Sequence, residues 1–116
     1  MKVNKDFELF RKEFTKWQNM FGLNGWKVYF KHEPLEGCFA SIHNDLDCMV
    51  STVTLNSVVQ DKDKPFKNIK QSAKHEAIHL LLARLELNGM ARFSSSADIY
   101  ESCEELVHKL EGLLQS

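Results

Sequence analysis

Residues 66–87 read FKNIKQSAKHEAIHLLLARLEL, and the fold turns on how this stretch is read. Ile78, Leu81, Leu82 and Leu85 share one face at helical spacing, and the chain then meets Asn88-Gly89, a favoured helix stop. The pattern predicts a helix from about Phe66 to Leu87. Between Leu80 and Ala83 it is apolar nearly all round, which places it at the centre of a domain.

Inside this helix stand His75-Glu76-Ala77-Ile78-His79, a match to His-Glu-x-x-His. Residues four apart lie one above the other on a helix, so His75 and His79 can offer two imidazole nitrogens to one zinc ion. Glu76 is one residue off that row, placed to reach a water on the metal but not to be a ligand, as a general base requires. The bland alternative is a buried histidine pair satisfied by carboxylates. Against it, the motif puts three polar side chains into the most apolar helix of the chain, where burial is costly without a purpose.

Working outward, Phe7, Phe10, Phe14, Trp17 and Phe21 recur at spacings of three and four, which predicts a helix from about Asn4 to Met20 that Gly22 ends. Trp26, Val28 and Phe30 alternate with Lys27, Tyr29 and Lys31 as a half-buried strand does. Cys38 to Ile42 and Met49 to Leu55 are two further β-rich runs, joined as a hairpin through Asn44-Asp45-Leu46-Asp47. Asn56 to Pro65 reads as a solvated loop. After Ser94-Ser95-Ser96, a third helix carries Ile99, Cys103, Leu106, Val107, Leu110, Leu113 and Leu114 on one face. The order α-β-β-β-α-α is that of a single α+β domain over residues 1–116.

Composition narrows the function. With 43% hydrophobic and 27% charged residues the chain has the make-up of an ordinary folded globule. The net charge is -1 with acids and bases interleaved, so no basic stripe exists to neutralise phosphates, and nucleic acid is not an expected partner. No run reaches the roughly 18 apolar residues of a membrane span, and the beginning of the chain does not read as a signal or transit peptide. Cys38, Cys48 and Cys103 are odd in number and lack a Cys-x-x-Cys spacing. A reducing, cytoplasmic setting is expected.

Catalytic zinc takes three protein ligands and keeps a position for water. The metzincin extension is absent, since its Gly and His positions are Leu82 and Leu85, and His32, His43 and His108 do not follow the motif closely. The third helix offers Glu101, Glu104 and Glu105 instead. Glu104 flanks the apolar face beside Tyr100 and Val107 and is the expected third ligand, with Glu101 the alternative and Glu105 last. Glu101 also has a capping role available, three residues after Asp98. Tyr100 and His108 are candidates to support an oxyanion or touch substrate.

The motif helix followed by a carboxylate on a later helix resembles the gluzincin branch of the zincin metallopeptidases. Over residues 26–114 the chain is similar to compact minigluzincin-like and phage-encoded metallopeptidase-like proteins. The resemblance implies a small twisted, mainly antiparallel sheet packed on the motif helix, with the strand before that helix, Met49 to Leu55, as the rim of a cleft where an extended peptide adds to an exposed edge. It implies a peptide or protein substrate and metal-assisted amide hydrolysis with Glu76 as base. The thermolysin-like Asn-Glu-x-x-x-Asp signature is not reproduced around Glu101 or Glu104, and there is no large second lobe. The rival expectation is a zincin-fold regulatory or protein-binding module that holds zinc without turnover; an intact Glu76 speaks for catalysis. A deformylase-like site would need an upstream cysteine ligand, for which Cys48 is the candidate.

Overall fold

A computed structural model describes residues 4–90 and 95–113. The first helix, α1 (Lys5–Met20), starts where the Asn4 side chain accepts from the Phe7 backbone N–H and ends before Gly22, whose φ of 72° only glycine adopts freely. Its stripe of Phe10, Phe14 and Trp17 is buried, with Phe7 and Phe21 packed at the margins. Gln18 then ties the turn that follows, donating to the carbonyls of Leu23 and Trp26.

Three strands follow, β1 (Lys27–Glu33), β2 (Ala40–Asp45) and β3 (Val50–Asn56), in the sheet order β1-β3-β2. β2 and β3 form the expected hairpin, antiparallel from Ala40 opposite Leu55 to Asp45 opposite Val50. β1 runs parallel to β3, with Lys27 opposite Val50 and Glu33 opposite Asn56. The sheet is therefore mixed, not mainly antiparallel. β3 also lies in the middle, paired on both sides, so Met49 to Leu55 has no free edge to offer; the free edge that packs near the motif helix belongs to β2. Three strands need one at the centre, and β3 is the most buried of them, with Val53 and Leu55 in the core.

The long central helix of residues 66–87 is divided. A single 3-10 turn (Lys64–Phe66) precedes α2 (Ile69–Leu81), capped by the Asn68 side chain on the Gln71 N–H, and α3 (Ala83–Met90) follows a break at Leu82, where ψ is 2°. Neither proline nor glycine stands there, so the break is a product of packing. It turns Ala83 into the core, 7% exposed. The buried face of α2 is Ala73, Ala77, Ile78 and Leu80, whereas Leu81 and Leu85 of the expected apolar stripe are 38% and 57% exposed. Asn88-Gly89 do not stop the helix: both lie within α3, and at Gly89 a Cβ would come within 3.1 Å of the Ile99 side chain. α4 (Ser96–Leu113) buries Cys103 and Val107 and packs on α2 and α3. It begins two residues before Asp98, which therefore lies inside the first turn and is not its N-cap. Ser94 and Leu114 fall outside the described residues.

The observed order is α-β-β-β-α-α-α, an α+β domain with helices α1 and α2 stacked on the sheet. No helix among the described residues is long and apolar enough to cross a membrane.

Candidate metal centre and cleft

The motif sits in the second half of α2, on the side that faces β2 and α4. Because Ala73, Ala77 and Ile78 are fully buried on the core side, the helix cannot rotate, and His75, Glu76 and His79 are held toward the cleft. The two imidazole rings stand with centroids 5.0 Å apart.

Glu104 of α4 closes the group. Its Oε1 lies 3.0 Å from His79 Nε2 and its Oε2 lies 3.7 Å from His75 Nε2. One ligand atom from each of His75, His79 and Glu104 falls within 4.8 Å of the others, a set able to hold a metal ion. Glu101 and Glu105, one residue round the helix or three back, are exposed. Cys48 is exposed at the β2–β3 turn, its backbone N–H on Asp45 Oδ1, and is not among the residues of this set.

The donor chemistry is consistent. His79 is held below the usual histidine range chiefly by burial, which favours the neutral ring; its Nε2, 3.0 Å from Glu104 Oε1, donates there and offers a lone pair only once a cation displaces that proton. His75 Nδ1 lies 2.9 Å from Glu111 Oε2. A carboxylate only accepts, so Nδ1 carries the proton and Nε2, on the Glu104 side, keeps its lone pair. Glu111 was not singled out by sequence reasoning. Its signal is weak but present: it lies seven residues after Glu104, two turns along the same face of α4.

Glu76 is 5% exposed, and its Oε2 is buried with no hydrogen-bond partner. Burial first, then the nearby carboxylates of Glu104 and Glu111, push its pKa up to about 8. Such an atom is expensive to leave unpaired, and a cation and a water beside it would answer the cost.

No protein-family model matches this chain, and no curated protein matches it. What the site can do rests on its own geometry.

Two cavities open on the motif. The larger, about 670 Å³, runs between β2 and the α3–α4 pair and is lined by Ile42, Leu46, Ala83, Leu87, Tyr100 and the three candidate ligands, among others. Glu86, on its rim, was also missed by sequence reasoning. Tyr100 is 54% exposed and hydrogen-bonds Glu104, so it overhangs this side of the cleft. His108 does not line either cavity. It is 65% exposed in its side chain and bonds Glu111 Oε1 at 3.1 Å, behind His75. Together with His75 and Glu111 it makes a second group of ligand-type atoms sharing one member with the first.

Proposed function

We propose that this chain is a zinc-dependent peptidase of the gluzincin type, with His75, His79 and Glu104 as ligands and Glu76 as the general base. The observation that carries the reading is a buried Glu76 with an unpartnered Oε2 in the wall of the same cavity as a three-ligand group. A set of two imidazoles and one carboxylate suits zinc, a tetrahedral ion that takes three protein ligands in catalytic sites. When bound there, the ion would supply Lewis acidity, lowering the pKa of water to about 7 and drawing charge from a carbonyl oxygen.

The chain's own residues then have separate tasks. Glu76 Oε2 takes the proton of the attacking water and hands it to the leaving amine. Glu111 fixes the tautomer and ring angle of His75, as outer carboxylates do for metal-binding histidines. Tyr100, exposed at the mouth of the cavity and beside Glu104, would donate to a developing oxyanion. The free edge of β2 runs along the larger cavity and offers unpaired backbone groups to an extended peptide, so substrate would lie as an added strand on Ala40–Asp45.

The test is Glu76→Gln, which keeps shape but removes the base. Zinc content by mass spectrometry should stay near one ion per chain while cleavage of a peptide mixture falls by about 10² or more. Turnover that survives unchanged would refute the role of Glu76. A wild-type protein that holds zinc and cleaves nothing would leave the silent zinc-binding module as the better account.

A further inference from the structure

The two nitrogens of His75 face two different sets of partners. Its Nε2 is on the side of the first group, 3.7 Å from Glu104 Oε2, whereas its Nδ1 lies 2.9 Å from Glu111 Oε2. The same two carboxylates bracket His108 of α4, with Nε2 3.7 Å from Glu104 Oε2 and Nδ1 3.1 Å from Glu111 Oε1. The His75 and His108 rings stand with centroids 5.3 Å apart. Two imidazoles from different helices thus converge on one carboxylate, each on its own oxygen.

The Glu111 side chain is nine-tenths buried, so its oxygens are held in place, while His108 stays open to solvent. One ligand atom from each of His75, His108 and Glu111 lies within 4.8 Å of the others. Ligand atoms around a tetrahedral zinc ion stand about 3.3 Å apart, as bonds of about 2.0 Å require. The nitrogen–oxygen separations of 2.9 and 3.1 Å are near that spacing, so an ion can replace the two N–H protons with little movement of the side chains.

A neutral imidazole carries one lone pair and one N–H. With its proton on Nδ1, against Glu111, His75 serves the first group through Nε2. With its proton on Nε2, the lone pair on Nδ1 joins Glu111 and His108, and the first group loses a ligand. The ring cannot do both at once.

We infer that His75, His108 and Glu111 form a second site for a divalent ion of the zinc type, weaker than the first group and in competition with it for His75. Two imidazoles and a carboxylate suit Zn²⁺ or Co²⁺. His108, exposed, must lose rotamer freedom to bind, which makes this the weaker site. His75 and Glu111 also stand in the wall of a cavity of about 350 Å³, which gives water access to complete the shell. The competition rests on the ligand assignment proposed above, and cleavage of peptide plays no part in it.

The experiment titrates Zn²⁺ into metal-free protein against a chromophoric chelator, with Co²⁺ absorption as a second readout. His79→Ala removes a ligand that belongs to the first group alone. It should still take up one ion, about 10²-fold or more weaker than the wild type and lost on gel filtration. Glu104→Gln, at a partly exposed position, gives the same result without a change in the core. Adding His108→Ala to either variant should weaken the remaining ion by about tenfold or more. The wild type should bind one ion, since the two groups share His75, and His108→Ala alone should leave its affinity within about twofold.

Three results overturn the inference: no ion taken up by folded His79→Ala and Glu104→Gln, a remaining ion indifferent to His108→Ala, or two ions on the wild type of which His108→Ala removes one. The first group fails separately. If His108→Ala strips the wild type of its metal while His79→Ala does not, the second group is the metal site of the chain and the peptidase reading falls.

Discussion

The two helices that meet at the candidate metal centre are held by different forces. α2 buries Ala73, Ala77 and Ile78 completely and Leu80 all but 1%, so its position is set by apolar packing against α1 and the sheet. α4 buries Cys103 and Val107, leaves Leu106 43% exposed, and meets α2 largely through polar groups: Glu104 on His79, Glu111 on His75. Three carboxylates, Glu76, Glu104 and Glu111, crowd this boundary, and the last two raise the pKa of the first. A cation would relieve that repulsion. The comparison teaches that α2 presents its ligands whether or not a metal is bound, whereas the seating of α4 depends on charge balance at the site.

The largest effect should come from α2. His75→Ala or His79→Ala removes one of two neighbouring ligands from a rigid helix, so stoichiometric zinc should be lost while the circular dichroism of the fold persists. Full zinc content in both variants would remove the site altogether. Next comes α4: Glu104→Ala should weaken zinc strongly, and Glu101→Ala and Glu105→Ala should leave the metal in place, with Glu101→Ala within about 0.5 kcal/mol of wild type in denaturant melts. If Glu101→Ala loses zinc and Glu104→Ala keeps it, the assignment on α4 is wrong though that on α2 survives.

A smaller effect is expected at the boundary. Glu111→Ala frees the Nδ1 of His75 and should cost about 10- to 100-fold in zinc affinity without abolishing binding, measured by competition with a chelator. No change would make Glu111 a surface partner of His108 and nothing more.

The smallest effect is a pH dependence of the metal-free protein. The Glu76 carboxyl, near 8 when folded and at its ordinary value of 4.5 when unfolded, makes the native state bind more protons than the unfolded chain across that interval. Stability therefore falls as pH rises through it. His79, lowered from 6.5, acts in the opposite direction but only below that value, so the clean window is about pH 6.5 to 8. Urea melts of the metal-free protein should lose stability across this window, and Glu76→Gln should flatten the loss. A wild-type profile as flat as that of the variant would mean that Glu76 is not held protonated.

What the sequence determined by itself is local and periodic. The Phe and Trp stripe of α1, the alternation of β1, the β2–β3 hairpin and the helical register that puts His75 over His79 all follow from spacings within about seven residues, where helix and strand geometry leave few alternatives. The amphipathic run from Ser96 was legible for the same reason, and so was Glu104 at the edge of its apolar face.

Only the tertiary structure decided the rest, because each remaining feature depends on what lies across from a residue and not beside it. Nothing in the alternation of β1 tells whether its partner runs parallel, so the central place of β3 and the free edge of β2 had to come from the assembled sheet. The break at Leu82 has no proline or glycine to announce it; it arises where packing turns Ala83 inward and leaves Leu81 and Leu85 outside. Glu111 is one of many glutamates in the chain until α4 crosses α2 and brings its Oε2 to 2.9 Å from His75 Nδ1. A helix records which residues share a face, but the neighbour that face meets is chosen by burial summed over the whole domain.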